Sequence, residues 1–243
     1  HALSIQAHPD LSLAQVLHAR NPALYKDANH KPEMALALSD DFEALCSFKP
    51  VSEIADSLRR YPELCAVIGE EATSALTSVT EETQGRAIRT AFTQLMHCSP
   101  EKIRSEVTKM ISRIKTALPA SPSEEAALLL MLDSQFPGDV GVFCALFLNH
   151  MKFHKGDCIF IGAGEPHAYL SGDCAELMTC SDNVVRAGLT PKEIDKETLI
   201  GMLTYKSGHV HLIQPQVVTG NGFVSKEFHP PLPDFVLVDL VVN

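Results

Sequence analysis

Leu3-Ser4-Ile5-Gln6-Ala7-His8-Pro9-Asp10 and, further on, Asn29-His30-Lys31-Pro32-Glu33-Met34 are the stretches on which the reading of this chain turns. On an extended strand, the spacing of Gln6 and His8 points both side chains to one face. Lys31 and Glu33 share a face in the same way. His30 and Pro32 take the other, unless Pro32 marks a bulge. The two stretches together offer nitrogen and oxygen ligands for a metal ion, with a mobile cation beside it. The ordinary reading of a lone Gln-x-His on a strand is a hydrogen-bonded polar pair, so a metal needs support from elsewhere in the chain.

Two later segments supply it. His167 follows the turn Gly162-Ala163-Gly164-Glu165-Pro166, Tyr169 shares its face, and Glu176 lies on the next strand. The run Ser181-Asp182-Asn183-Val184-Val185-Arg186-Ala187-Gly188-Leu189-Thr190-Pro191-Lys192 brings Asp182, Arg186 and Lys192 close in sequence and near a helix start. Arg186 offers a planar fork of donors and Lys192 a point charge. Both suit a phosphate or a developing oxyanion. The competing structural reading is an Asp182–Arg186 salt bridge.

Composition narrows the class. The chain has 243 residues, 45% of them hydrophobic, and a net charge of −10. That is enough apolar material for one large or two modest cores, and too much for disorder. The acidity and the lack of a Lys/Arg run argue against nucleic acid as a partner. The seven cysteines are odd in number and scattered, with no C-x-x-C, so free thiols in a reducing, cytoplasmic compartment are expected. No apolar run approaches a bilayer span, and the first residues carry no signal-peptide pattern. Both ends fall inside strand-like runs, so the sequence reads as an internal piece of a longer protein.

The pattern along the chain divides it into four. Residues 1–50 read as the first part of a β-structure: strands at Ala2 to Ala7, Glu33 to Leu38 and Phe42 to Phe48, and a helix at Ser12 to Ala19 capped by Asp10 or Ser12. Residues 51–135 are helical, over Glu53 to Arg60, Ala66 to Ala75, Gly85 to Cys98, Pro100 to Leu118 and from Ser121 to about Gln135. Ser99 caps the fourth of these, with Pro100 at its first position. Residues 136–205 return to strands, at His150 to Phe153, Asp157 to Ile161, Pro166 to Leu170 and Ala175 to Thr179, and then a helix from Thr190 to about Tyr205. Val140 to Phe147 fits helix or strand. Residues 206–243 read as an irregular linker ending in a strand at Phe235 to Val241.

Ser4-Ile5-Gln6-Ala7-His8-Pro9-Asp10, Asn29-His30-Lys31-Pro32-Glu33-Met34-Ala35, Pro166-His167-Ala168-Tyr169-Leu170 and the Ser181 to Lys192 run, in this order, closely resemble type I phosphomannose isomerases. Pro137-Gly138-Asp139 and Gly172-Asp173-Cys174 fit as well, and a helical block sits between the second and third motifs, as in eukaryotic members. Leu11 departs from the family, which usually has a lysine there.

The resemblance implies a mixed α and β fold: a cupin-type β-barrel (jelly roll), here incomplete, with an inserted all-helical domain, and a further barrel starting near the end of this chain. It implies one zinc ion held by Gln6, His8, Glu33 and His167. Arg186 matches the family's catalytic arginine. Ser4, Lys31, Tyr169, Glu176, Asp182 and Lys192 match positions lining its pocket. The implied reaction interconverts mannose 6-phosphate and fructose 6-phosphate through a cis-enediol, supplying mannose for GDP-mannose and glycosylation. Either Glu176 or Lys31 then serves as the base. The implied partner is a small sugar phosphate, with no nucleic acid, no membrane and a monomeric state. The alternative is a non-catalytic zinc-binding cupin homologue, or an inactive fragment that binds sugar phosphate. A helical interaction module is a third reading, and it requires an exposed apolar stripe on residues 100–118.

Overall fold

A computed structural model describes residues 1–117 and 122–242. The chain runs through β1 (Ile5–Ala7), α1 (Leu11–Arg20), β2 (Glu33–Ala37) and β3 (Phe42–Phe48). The helices α2 (Val51–Arg60), α3 (Pro62–Thr77), α4 (Gln84–His97), α5 (Pro100–Ala117), α6 (Glu124–Gln135) and α7 (Val140–Cys144) follow. Then come β4 (Leu148–Phe153), β5 (Cys158–Ile161), β6 (His167–Ser171), β7 (Cys174–Met178), β8 (Val185–Gly188) and α8 (Lys196–Met202). The chain closes with β9 (Gln216–Gly220), β10 (Phe223–Phe228) and β11 (Leu237–Val242).

The helices start where side chains can cap free backbone donors. Asp10 accepts from the Leu13 amide at 2.7 Å, Ser99 from Lys102 at 3.2 Å and Ser123 from Ala126 at 3.2 Å. The apolar stripe of α5, comprising Ile103, Val107, Met110, Ile111 and Ile114, is buried. Among the described residues no exposed stripe is left there to recruit a partner, which counts against the interaction-module reading. The expected helix end at Leu118 and helix start at Ser121 lie outside the described residues.

The strands form three antiparallel sheets, ordered β4-β3-β6-β1-β8, β5-β2-β7 and β11-β10-β9. The first sheet separates two environments. Ile5, Ala7, Leu45, Phe48, Ala168, Leu170, Val185 and Ala187 join the helical core on one side. Residues between them in sequence, such as Gln6 and Arg186, must face the other side. There the second sheet packs across, with Ala35, Ala37, Ile159 and Ile161 against Phe42, Ala44, Cys46 and Phe153. The far face of β2 buries Met34 and Leu36 against Phe228 of the third sheet. β2 is thus covered on both faces, which explains why its sequence does not alternate. The two facing sheets are the jelly roll, with the helices inserted between β3 and β4; among the described residues the barrel is not closed by hydrogen bonding between the sheets.

Three expectations need correction. The segment read as approaching a helix contains β8, paired to β1. The helix expected from Thr190 starts only at Lys196 and ends at Met202, because Asp195 supplies the cap, accepting from the Thr198 amide at 3.1 Å. The tail is not an irregular linker: β9 and β10 form a hairpin with β11 beside it. Asn221-Gly222 makes the two-residue turn, with Gly222 at φ 81° where a Cβ is disfavoured.

A polar junction ties barrel to helices. Lys49 Nζ donates to Ser57 Oγ at 2.9 Å and Glu125 Oε2 at 3.0 Å, and Arg60 pairs with the other Glu125 oxygen at 2.9 Å. Burial opposes the charge of Glu125, but Lys49 and then Arg60 outweigh it and hold its carboxyl below the usual carboxylate range. Stability from this group is present above its ordinary pKa of 4.5 and is lost as pH falls through the lowered folded value. Lys49→Met leaves the carboxylate half-paired in a buried setting. It is expected to cost about 3 kcal/mol and to flatten the acid limb of stability. Thermal unfolding of the whole protein across pH 3–7 checks both; an unchanged midpoint contradicts the assignment.

Candidate active site

β1 and β6 place Gln6 directly opposite His167, and β1 and β8 place it opposite Arg186. Cross-strand neighbours present their side chains to the same face. One row of the first sheet therefore carries His167, Gln6 and Arg186 into the space between the sheets. His8 stands just beyond β1. Glu33 enters from the opposite sheet, where it opens β2 between Ile161 and Met178.

The side chains converge. His8 Nε2 lies 3.1 Å from Glu33 Oε1, and His167 Nε2 lies 3.1 Å from Glu33 Oε2. All three residues are buried, and their ligand atoms fall within 4.8 Å of one another. The outer ring nitrogens decide the protonation. His8 Nδ1 meets the Asn183 carbonyl at 2.7 Å, and His167 Nδ1 meets the Glu165 carbonyl at 2.9 Å. A carbonyl can only accept, so both Nδ1 atoms carry hydrogen. In a neutral ring Nε2 is then a bare lone pair aimed at a carboxylate. Neither 3.1 Å approach has the direction of a hydrogen bond, and both Nε2 atoms and both Glu33 oxygens are buried without a hydrogen-bond partner among the described residues, although the Lys31 ammonium stands 3.2 Å from Glu33 Oε1.

Such a cluster of electron-rich atoms requires a cation. Protons are a poor choice. Two imidazolium rings would sit 5.2 Å apart in a buried space, and burial pushes the His8 pKa down, with the nearby His167 adding to the effect. Glu33 meets the Lys31 ammonium 3.2 Å from its Oε1, which favours the ionised carboxylate against the cost of burial. Two neutral histidines and one ionised carboxylate are the donor set of a divalent transition metal such as zinc. Carbonyls bonded to the outer nitrogens orient the rings, as is usual behind metal-binding histidines.

The other expected residues lie around this centre at differing depths. Gln6 is half-buried, and its Oε1 accepts from Ser4 Oγ at 3.4 Å, which leaves a lone pair on the amide oxygen. Lys31 Nζ is 3.2 Å from Glu33 Oε1. His30 instead turns to Asp234, 2.9 Å away, so the choice of Lys31 over His30 follows the strand face. Tyr169 has a buried hydroxyl without a hydrogen-bond partner among the described residues. Burial, with the charges of Glu176 and Glu33, holds its proton on firmly. Glu176 is open to water, yet burial of part of its surface and the charge of Glu33 raise its pKa.

Arg186 is half-buried, and its guanidinium has no ion pair or hydrogen bond among the described residues; the Asp182–Arg186 bridge does not form. Asp182 and Lys192 are exposed, Lys192 in the bend between β8 and α8. A cavity of about 670 Å³ between α4, α5 and residues 190–196 includes none of these side chains. Donor chemistry, and not cavity size, marks the site.

This chain matches the family described as phosphomannose isomerase type I, catalytic domain, over residues 1–51, and the helical insertion domain of the same family over residues 67–148. It is 43% identical to mannose-6-phosphate isomerase of Saccharomyces cerevisiae over 98% of its own length, and 42% identical to that of Rattus norvegicus over 99%. The chain belongs to the type I phosphomannose isomerase family.

It spans 59% of the yeast relative's length and 58% of the rat one's. Among solved structures, a mannose 6-phosphate isomerase bound with zinc and yttrium superposes with a TM-score of 0.77 at 30% identity, covering 98% of this chain and 60% of that one. An arginine-to-alanine mutant of the phosphomannose isomerase of Salmonella typhimurium gives the same TM-score and identity, covering 98% of this chain and 59% of that one. Sequence reasoning named His8, Glu33 and His167, which the structure brings together, but missed what holds them. The Glu165 and Asn183 carbonyls are backbone atoms and leave no mark in residue type. Asp27, which braces Asn183, carried a signal in its Asp-x-Asn turn pattern.

Proposed function

We propose that the protein containing this chain is a zinc-dependent mannose-6-phosphate isomerase, interconverting mannose 6-phosphate and fructose 6-phosphate through a cis-enediol. On this reading it is a cytoplasmic monomer that feeds mannose towards GDP-mannose and glycosylation. The carrying observation is the buried His8–Glu33–His167 cluster, whose facing atoms have no hydrogen-bond partner among the described residues. Zinc, held by these three and Gln6, would supply Lewis-acid polarisation of the sugar oxygens. Counting ligand charges leaves the centre near +1, suited to an enediolate.

The side chains divide the remaining work. The isomerisation moves one proton between C2 and C1 on one face of the substrate and needs a base that keeps it. Lys31 is committed to Glu33 as a cation, so Glu176 is the better base. Its raised pKa also favours proton capture, before any metal charge is counted. Arg186 faces the sugar oxygens as charge develops on them, and its lack of a protein partner leaves its donors available. A structural metal site needs no unpaired arginine beside it, which weighs against a non-catalytic homologue. Ser4, Tyr169, Asp182 and Lys192 complete the walls and mouth of the pocket, with Lys192 drawing in the phosphate.

The test is an assay of the whole protein with mannose 6-phosphate, before and after chelation and after zinc is restored. Activity lost on chelation and regained with zinc supports the proposal; no isomerisation by the zinc-loaded protein overturns it. Glu176→Gln is expected to lower kcat by about 10²–10⁴ and to stop exchange of the C2 proton with deuterated solvent. Exchange at the unaltered rate removes Glu176 as the base.

A further inference from the structure

The segment before β2 and the segment between β7 and β8 are stitched together around one carboxylate. Asp27 Oδ1 accepts from Ser181 Oγ at 2.8 Å and from the Asn29 amide at 3.0 Å, while Oδ2 accepts from the Asp182 amide at 2.7 Å. Asn183 Nδ2 donates to the Asp27 carbonyl at 2.8 Å, to the Asn29 carbonyl at 3.0 Å and to Asp27 Oδ1 at 3.2 Å. Ser181 Oγ and Asn29 Nδ2 add bonds across the same seam, to the Asn29 and Cys180 carbonyls. Thr179 Oγ1 closes it, donating to the His30 carbonyl at 2.6 Å. The Asn183 side chain is fully buried.

The seam lies where several parts of the site meet. One strip runs straight into Lys31 and Glu33. The other runs from Glu176 on β7 to Arg186 on β8, and its Asn183 carbonyl is the acceptor for His8 Nδ1. If that carbonyl moves, His8 loses the bond that keeps hydrogen on Nδ1, and the Nε2 lone pair is no longer fixed toward Glu33. Nothing else among the described residues bonds to His8 Nδ1.

We infer that Asp27 is a positioning residue for the metal centre: its carboxylate, through Ser181, Asp182 and Asn183, holds the Asn183 carbonyl against His8 Nδ1 and so presents Nε2 to the metal. Asp27 touches neither metal nor substrate. The bonds it accepts hold its own carboxyl below the usual range despite partial burial, so it stays an ionised acceptor near neutral pH. The inference rests on the proposed metal site, and its test separates the two.

The test compares Asp27→Ala, Ser181→Ala and Glu33→Gln in the whole protein. Zinc affinity is read by competition with a chromogenic chelator. The His8 tautomer is read in the zinc-free protein by nitrogen-15 histidine NMR. Asp27→Ala is expected to weaken zinc about 10–100-fold and to convert His8 from the Nδ1–H form to a mixture. A purely structural residue would move neither the tautomer nor the affinity of a protein that remains folded. Should Asp27→Ala fail to fold, Ser181→Ala removes one bond to the same carboxylate and is expected to shift both readings in the same direction by less. Wild-type affinity and tautomer in the folded variant, with zinc lost in Glu33→Gln, overturn the role of Asp27 alone. Wild-type zinc affinity in Glu33→Gln overturns the metal site itself.

Discussion

Glu33→Gln in the whole protein is expected to abolish stoichiometric zinc and, with it, isomerase turnover. Glu33 is the only charged member of the donor set, and it faces both histidines at 3.1 Å. Its amide would replace an anion with a neutral group of the same shape, so packing is largely kept. The loss of affinity should exceed the roughly 10–100-fold that a supporting residue costs. The change has a second consequence. Without the carboxylate, Lys31 loses its partner at 3.2 Å, and the two Nε2 lone pairs no longer face negative charge. These two effects oppose one another, so the deciding reading is that added zinc stabilises the parent and leaves the variant unchanged. Elemental analysis and thermal unfolding with and without zinc check this; a full zinc complement contradicts it.

Arg186→Ala carries the second large effect, opposite in kind. It should lower kcat by about 10²–10³, equivalent to about 3–4 kcal/mol of transition-state stabilisation, while zinc stays bound at one per chain. The reasoning is geometric. Arg186 on β8 sits directly opposite Gln6, on the face that carries His167, yet no group among the described residues takes its donors. Ala at this half-buried edge of the row removes no apolar packing, because β8 packs through Val185 and Ala187 on the other face. Lysine should restore little, since it lacks the planar fork. Turnover within a few fold of wild type in Arg186→Ala would remove the arginine from the chemistry.

The sequence was most legible where side-chain chemistry and strand period agree. Gln6, His8, Lys31 and Glu33 sit at spacings that a strand must present to one face, and the stripe on α5 repeats at three and four. Legibility failed where a short segment had no pattern of its own. β8 is four residues, Val185–Gly188, and exists because β1 offers it an edge. β2 lost its alternation because sheets cover it on both sides. The β9–β10 hairpin carried a readable signal, Asn221-Gly222 after the β-branched run Val217-Val218-Thr219. The turn type, and not the exposed strand, marks it. The metal site itself could be listed from residues, but its protonation could not: two backbone carbonyls, from Asn183 and Glu165, determine which ring nitrogen is bare.

The central claim is that the partnerless atoms of His8, Glu33 and His167 surround a metal. Anomalous diffraction from crystals of the zinc-loaded whole protein, collected on both sides of the zinc edge, tests it directly. The predicted result is one peak about 2.0–2.2 Å from His8 Nε2, His167 Nε2, a Glu33 oxygen and Gln6 Oε1. A zinc-replete, active protein with no peak among these atoms would contradict the account.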